Sequence, residues 1–129
     1  MGKGLKSASV LIIKLGALGD FIQALGPMAA IRTRHKGERI VLLTTRPYYD
    51  FAEASGYTDQ VWLDQRPELF EIKQWLAFRR VLRNAGFKRV YDLQTSDRSA
   101  MYFRLFWPGP TPEWSGIAQG CSHPHANPR

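Results

Sequence analysis

The chain has 129 residues, enough for one domain with a hydrophobic core. Hydrophobic residues make up 44% of it and charged residues 22%, which excludes an intrinsically disordered chain, and no apolar run approaches the roughly 18 residues of a membrane span. The net charge of +7 predicts a surface that attracts anions, such as nucleic acid, anionic lipid headgroups or phosphorylated sugars.

Strand-like and helix-like patterns alternate along the chain. Short apolar runs with β-branched residues predict strands at 9–14, 39–45, 60–64 and 89–94. Apolar residues on one side predict helices at 20–34 and 68–85. Pro47 and Gly56 bound a short helix predicted at 47–55, and a last short helix is predicted at 99–106. Gly26 and Pro27 fall inside the first helix and predict a bend there. The alternation predicts an α/β fold, a Rossmann-like open parallel sheet with flanking helices joined by right-handed crossovers.

The character of the sequence changes after Trp107. The last part has several prolines and little periodicity, which predicts an irregular segment. It still carries Trp114, which a pure linker would not need. We therefore divide the chain into a Rossmann-like domain over 1–107 and an irregular Pro/Gly-rich segment over 108–129.

The segment "LGALGD", residues 15–20, joins the first strand to the first helix. In open parallel sheets ligands bind at the carboxyl ends of the strands. Gly16 and Gly19 predict a tight turn that lets backbone N–H groups approach a ligand there. The turn is neither a P-loop nor a complete dinucleotide fingerprint, because it lacks Gly-Lys-Ser/Thr and Gly-x-Gly. Asp20 has two interpretations, a helix N-cap and a base that faces a neutral hydroxyl.

Basic residues gather around the third predicted helix and its exit. They are Lys73, Arg79, Arg80, Arg83, Lys88 and Arg89. They fit a solvated face and an anion-binding surface equally well. No helix-turn-helix, zinc-finger or RNP-type signature accompanies them, which counts against a nucleic-acid-binding module.

Three stretches carry a resemblance to a known family: "VLIIKLGALGDFIQALGPMAAIR", "IVLLTTRPYYDFAEASGYTDQVW" and "RVYDLQTSDRSAMYFRLF". They resemble the amino-terminal half of the family-nine glycosyltransferases, the ADP-heptose:lipopolysaccharide heptosyltransferases and their relatives. The resemblance runs from Val10 to Arg129, and "LGALGD" and "DLQTSDRS" are its most specific parts. It implies one half of a GT-B fold, in which two Rossmann-like domains face each other across a cleft.

The resemblance implies roles for the turn after the first strand. The family's Gly-Asp carboxylate is the proposed general base, which takes the proton from the acceptor hydroxyl, and Asp20 is the matching position. Capping by Asp20 stays open, since one carboxylate oxygen can serve each role. Gly16 and Gly19 would shape the turn and leave space for donor phosphate or acceptor.

Three further residues are implied as acceptor contacts. Asp97 and Arg98 belong to the "DLQTSDRS" loop, and Arg46 follows the second strand. An arginine fork suits the phosphate or carboxylate groups of a lipopolysaccharide core. For Arg98 an ordinary salt bridge to Asp97 or to another nearby carboxylate is the competing interpretation.

The implied function is transfer of a sugar, heptose by resemblance, from a nucleotide-sugar donor such as ADP-heptose to a glycan or glycolipid acceptor of lipopolysaccharide type. No metal or other cofactor is expected, because the order Cys-x-His-x-His at 121–125 lacks the paired spacings of zinc sites. A GT-B enzyme needs about twice this length. The donor domain is therefore expected to be a separate carboxyl-terminal part, without which this chain is inactive and exposes a surface that favours self-association.

The expected location is the cytoplasm, at the inner face of the inner membrane and in peripheral contact with it. The lone Cys121 is typical of a reducing compartment, and the implied acceptor is anchored in that membrane. The alternative function is a basic anion-binding module for nucleic acid or an anionic membrane surface, without catalysis.

Overall fold

The structure, a computed structural model, describes residues 9–16, 22–64, 68, 70–106, 112–116 and 123–124. Within these ranges the strands are β1 (Ser9–Ile13), β2 (Arg39–Thr44), β3 (Gln60–Leu63), β4 (Phe87–Asp92), β5 (Glu113–Gly116) and β6 (His123–Pro124). The α-helices are α1 (Leu25–Arg34), α2 (Arg46–Ser55), α3 (Ile72–Asn84) and α4 (Asp97–Phe103), and a 3-10 helix follows over Arg104–Phe106.

The strands form one parallel sheet in the order β3-β2-β1-β4-β5-β6. β1 lies at the centre, where Val10 is paired with Ile40 of β2 and with Arg89 of β4. The chain runs outward from β1 through β2 to β3, then returns to the other side of β1 as β4. This is the strand order of doubly wound sheets, and it confirms the predicted α/β fold with a Rossmann-like open parallel sheet.

The core is divided into two clusters, one on each face of the sheet. Successive side chains of a strand point to opposite faces, and helices cover both. One face carries α1 and α2, and its buried side chains include Val10, Ile12, Met28, Ile31, Ile40 and Ala52. The other face carries α3, α4 and the 3-10 helix, and its buried side chains include Leu11, Ile13, Leu82, Val90, Tyr102 and Phe106. Coverage of both faces explains why β1 is a continuous apolar run.

The helices begin and end where their proline and glycine residues allow. α2 has a proline in its first turn and ends at Gly56, whose φ of 76° is left-handed. Ile22 and Gln23 are helical, Ala24 is a turn and α1 starts at Leu25, so the predicted helix is interrupted directly before Gly26 and Pro27, which lie in the first turn of α1. α3 begins at Ile72, later than predicted. Among the described residues, no helix combines the length and apolar character needed to cross a membrane.

The sheet extends into the segment predicted to be irregular. β5 pairs with β4 through Trp114 and Val90, and β6 pairs with β5. Trp114 is completely buried and packs edge-on against Phe103 and Phe106, with ring centroids 5.2 and 6.0 Å apart. This differs from the irregular segment predicted over 108–129. The reason is that burial of one large aromatic side chain and pairing with β4 outweigh the lack of periodicity.

Candidate functional site

The candidate site is the crevice at the carboxyl ends of β1 and β4, where the strand order reverses. The chain leaves β1 for α1 on one face and leaves β4 for α4 on the other. The two connections therefore diverge, and sheets of this topology bind ligands at such a switch point. Its described residues are 14–16 after β1 and 93–96 after β4.

The backbone at the exit of β1 is fixed from both sides. The Thr45 hydroxyl donates to the Leu15 carbonyl at 2.6 Å. On the other side, Oε1 of Gln94 accepts from the N–H groups of Leu15 and Gly16 at 2.9 and 3.3 Å. These two N–H groups are therefore occupied by a side chain. The predicted approach of backbone N–H groups to a ligand stays a prediction for residues 17–21, which lie outside the described residues.

Gly16 is required by its conformation and by its surroundings. Its φ is 145°, a region that L side chains rarely adopt. A Cβ on this residue would lie 2.8 Å from Cε2 of Tyr48, closer than real contacts allow. The turn therefore has no room for a side chain at its first glycine.

Gly19 and Asp20, the other predicted residues of this turn, lie outside the described residues. The general-base and N-cap interpretations of Asp20 both stay predictions. α1 begins after Ala24, which makes no side-chain capping hydrogen bond. The start of α1 therefore leaves both interpretations of Asp20 standing.

A buried carboxylate organises the turn after β4. Oδ1 of Asp92 accepts from the N–H groups of Gln94 and Thr95 at 3.1 and 2.8 Å, and Oδ2 accepts from the Ser99 hydroxyl at 2.8 Å. These bonds hold Thr95 at a left-handed φ of 48°. Ser96 then caps α4 in a reciprocal capping box with Ser99. Asp92 thus ties the turn to the helix that follows it.

The sequence prediction missed Asp92, Gln94 and the two serines. The available signal was Ser-x-x-Ser directly after an apolar strand, a variant of the capping-box spacing. The predicted Asp97 occupies the first position of α4, at the rim of the crevice. The structure therefore brings Gly16 and the start of α4 to the same crevice.

Arg98, the other predicted residue of this loop, belongs to a hydrogen-bonded chain. Its Nη1 donates to the Tyr102 hydroxyl at 3.2 Å, and that hydroxyl donates to Oδ2 of Asp64 at 2.5 Å. Its guanidinium lies 5.9 Å from the ring centroid of Trp75. Burial, and then the bond to Asp64, raise the pKa of Tyr102, while Arg98 opposes the shift. The bond to Tyr102 in turn raises the pKa of Arg98.

Arg46 lies in a separate feature, an open cleft of about 1010 Å³ beside the edge strand β3. The cleft is lined by Leu43, Arg46, Tyr49, Val61, Trp62, Leu63, Asp64, Gln74, Ala77, Phe78 and Val81. Aromatic walls with one cation and one carboxylate suit a sugar or another polar organic ligand. Asp64 lines this cleft and also accepts from Tyr102, so the hydrogen-bonded chain that begins at Arg98 ends in the cleft that Arg46 lines.

Metal binding has no support in the described part of the chain. There, no three His, Cys, Asp or Glu side chains are grouped so that they could hold a metal ion. Cys121 and His125 of the Cys-x-His-x-His stretch lie outside the described residues. The chemistry that the described crevice and cleft can offer is hydrogen bonding, charge and aromatic contact.

Solved glycosyltransferase structures share this fold. The chain superposes on glycosyl transferase family 9 from Veillonella parvula DSM 2008 with a TM-score of 0.73 and 16% identity, covering 92% of this chain and 36% of that one. It superposes on E. coli heptosyltransferase WaaC with ADP with a TM-score of 0.65 and 19% identity, covering 91% and 40%. The sequence matches no protein-family model and no curated protein. The comparisons confirm, at the level of the fold, the family resemblance drawn from the sequence.

Proposed function

We propose that this chain is the acceptor-binding part of a family-nine glycosyltransferase with a GT-B fold. The enzyme moves a sugar, heptose in this proposal, from a nucleotide sugar such as ADP-heptose to a glycan or glycolipid acceptor of lipopolysaccharide type. The shared fold supports the proposal. So does the crevice at the β1–β4 switch point, which lies where ligands bind in sheets of this topology.

The observation that carries the proposal is the fixed position of Gly16. Asp20 follows it by four residues, so even an extended chain keeps the carboxylate-bearing residue within about 14 Å of Gly16. Asp20 takes the proton from the acceptor hydroxyl while the hydroxyl oxygen bonds to the anomeric carbon of the donor. The bond from that carbon to the nucleoside diphosphate breaks, and the leaving group keeps the electron pair.

The proposed acceptor contacts occupy two places. Asp97 and Arg98 lie at the start of α4, beside the crevice. Arg46 lies in the neighbouring cleft with Asp64, which Tyr102 connects to Arg98. An acceptor with phosphate or carboxylate groups can therefore meet the Arg46 guanidinium in the cleft and the Arg98 guanidinium at the start of α4.

The chain spans 36 to 40% of the length of the solved structures that it matches. We accordingly place donor binding on a second domain, propose that the 129-residue chain alone transfers no sugar, and expect its uncovered surface to favour self-association. The first test is the intact mass of the protein as its native gene encodes it. A mass of about twice 14.7 kDa or more supports the proposal. A mass of 14.7 kDa, with no partner that restores transfer, contradicts it.

Asp20→Asn in that native protein tests the general base. We expect transfer, measured as release of nucleoside diphosphate, to fall by about two to four orders of magnitude. Asp50→Asn is the matched control, because Asp50 is an exposed carboxylate on α2, and it should leave the rate unchanged. Retained transfer in Asp20→Asn would refute the assignment.

An anion-binding module without catalysis is the second candidate. A cleft of about 740 Å³ at the amino-terminal edge of the sheet favours it. Its charged lining consists of Arg34, Arg83, Lys88, Arg89 and Glu113. Binding of an oligonucleotide that falls by orders of magnitude over a severalfold rise in salt would support this candidate. Salt-insensitive binding, or none, would exclude the nucleic-acid form of it.

A further inference from the structure

We propose that the outer face of α3 docks on an anionic membrane surface. The docking face, called the α3 patch below, consists of Phe70, which precedes the helix, and of Ile72, Lys73, Leu76 and Arg80 on α3. It combines exposed apolar side chains with cations on one short stretch of chain. The proposal does not depend on glycosyl transfer.

The apolar side chains of the α3 patch are unusually open to solvent. Phe70 is 80% exposed, Ile72 63% and Leu76 53%. The opposite side of α3 packs on the sheet through Leu82, which is buried. Large apolar groups grouped on one surface mark an interaction site, whereas single ones need no explanation.

The cations of the α3 patch stand next to these apolar groups. Lys73 and Arg80 are exposed, and each is one helical turn from Leu76 along the helix. From Ile72 to Asn84 the helix carries four Lys and Arg residues and no carboxylate, while Glu71, directly before it, accepts hydrogen bonds from the Glu68 N–H and the Gln74 side chain. An apolar stripe with flanking cations is the pattern of helices that lie in a membrane interface.

Charge complementarity favours an anionic bilayer over a second copy of the chain. An isologous contact through the α3 patch would bring Lys73 and Arg80 of each copy near the same residues of the other, and like charges repel. Nucleic acid would satisfy the cations and leave Phe70, Ile72 and Leu76 in water. Only a lipid headgroup region offers anions for the cations and an apolar layer for the other side chains.

Vesicle co-sedimentation of the 129-residue chain tests the proposal. The probes are vesicles of phosphatidylcholine alone and vesicles that also contain phosphatidylglycerol. We expect binding to the anionic vesicles only, and a loss of about 25-fold in Lys73→Gln/Arg80→Gln, at about fivefold for each cation removed. Ile72→Ser/Leu76→Ser should weaken binding by about tenfold, because the apolar contribution is removed.

The matched control is Lys36→Gln/Arg104→Gln. These cations are also exposed, and they lie outside the α3 patch, Lys36 directly after α1 and Arg104 in the 3-10 helix. The control loses the same charge and should bind anionic vesicles as the unmodified chain does. Circular dichroism of each variant shows that the fold is retained.

Three results would overturn the proposal. The first is an equal loss of binding in the control, which would indicate attraction by net charge alone. The second is binding to neutral vesicles as strong as to anionic ones. The third is a dimer in solution that Ile72→Ser/Leu76→Ser dissociates, which would make the α3 patch a contact between copies.

Discussion

Replacing Gly16 with alanine tests how tightly the turn after β1 is built. The φ of 145° at this residue disfavours a side chain by about 1–3 kcal/mol. A Cβ placed 2.8 Å from Cε2 of Tyr48 forces the ring to move within a packed region, which costs about 1–3 kcal/mol more. The sum of about 2–6 kcal/mol is a large part of the 5–15 kcal/mol that is typical of a whole domain.

Thermal unfolding followed by circular dichroism measures this effect against two other glycines. Gly16→Ala should lower Tm by about 8–24 °C, at about 4 °C for each kcal/mol in a chain of this size. Gly56 has a left-handed φ of 76°, but a Cβ added there would meet nothing within 4 Å, so Gly56→Ala should lose only about 1–2 kcal/mol. Gly26 lies in a helix with open space around it, and Gly26→Ala should be neutral or stabilise by up to about 1 kcal/mol.

A double-mutant cycle with Tyr48→Ala separates the two contributions at Gly16. Removing the ring should recover the part of the loss that comes from the clash and leave the part that comes from φ. Equal melting temperatures of Gly16→Ala and Gly26→Ala would refute the reasoning altogether. A coupling energy of zero between Gly16 and Tyr48 would refute the steric part alone.

Three further predictions concern single contacts. The pKa of Tyr102 is raised in the folded chain above its unfolded value of 10.0. The stability linked to this shift is fully present below the unfolded pKa and is lost as the pH rises through the folded pKa. Tyr102→Phe should therefore reduce the loss of unfolding free energy at alkaline pH, measured by urea unfolding. The hydrogen bond from Lys88 lowers the pKa of Glu38 below its ordinary value of 4.5. The stability linked to this shift is present above that pH and is lost as the pH falls through the folded pKa. Lys88→Gln should therefore reduce the loss of unfolding free energy on acidification. Trp114→Ala should lower the free energy of unfolding by about 3–5 kcal/mol, because the side chain is fully buried.

Each of these predictions has a control and a contradicting outcome. Tyr57→Phe is the alkaline control, and an alkaline slope that is the same for Tyr102→Phe and the unmodified chain would contradict the Tyr102 prediction. Lys36→Gln is the acid control, and a Lys88→Gln variant with an unchanged acid transition would contradict the second. If Trp114→Ala unfolds like the unmodified chain, β5 does not belong to the core.

The fold was predictable from the sequence where burial of an element produces a recognisable pattern of residues within that element. β1 is covered on both faces, so its side chains form an unbroken apolar run that is visible in the sequence. Gly56 and Gly86 end their helices with left-handed φ values, and that requirement also shows in the residue type. β5 has no such signal, because a strand of four residues with one buried tryptophan shows no period.

The candidate site was predictable only in part, since its contacts are long-range. The glycine at position 16 indicates a turn through its residue type alone. Its partner Gln94 is 78 residues away, and nothing near Gln94 indicates that its amide oxygen accepts from the β1 exit. Asp92 likewise looks like the polar end of a strand, although it holds the following turn and the first residues of α4.

The two candidate functions use opposite edges of one parallel sheet, which makes them separable by mutation. Gly16 and the turn that Asp92 holds lie at the carboxyl edge, while Arg89 at the start of β4 lies at the amino-terminal edge, bound to Glu113 and Ser115. A substitution at one edge leaves the contacts of the other intact, because the strands between them are fixed by both faces of the core. In the native protein, loss of transfer without loss of anion binding would therefore identify the carboxyl edge as the functional one. The buried polar network there is built around a turn, whereas the polar contacts of Arg89 join neighbouring strands, and for this reason the proposed function uses the carboxyl edge.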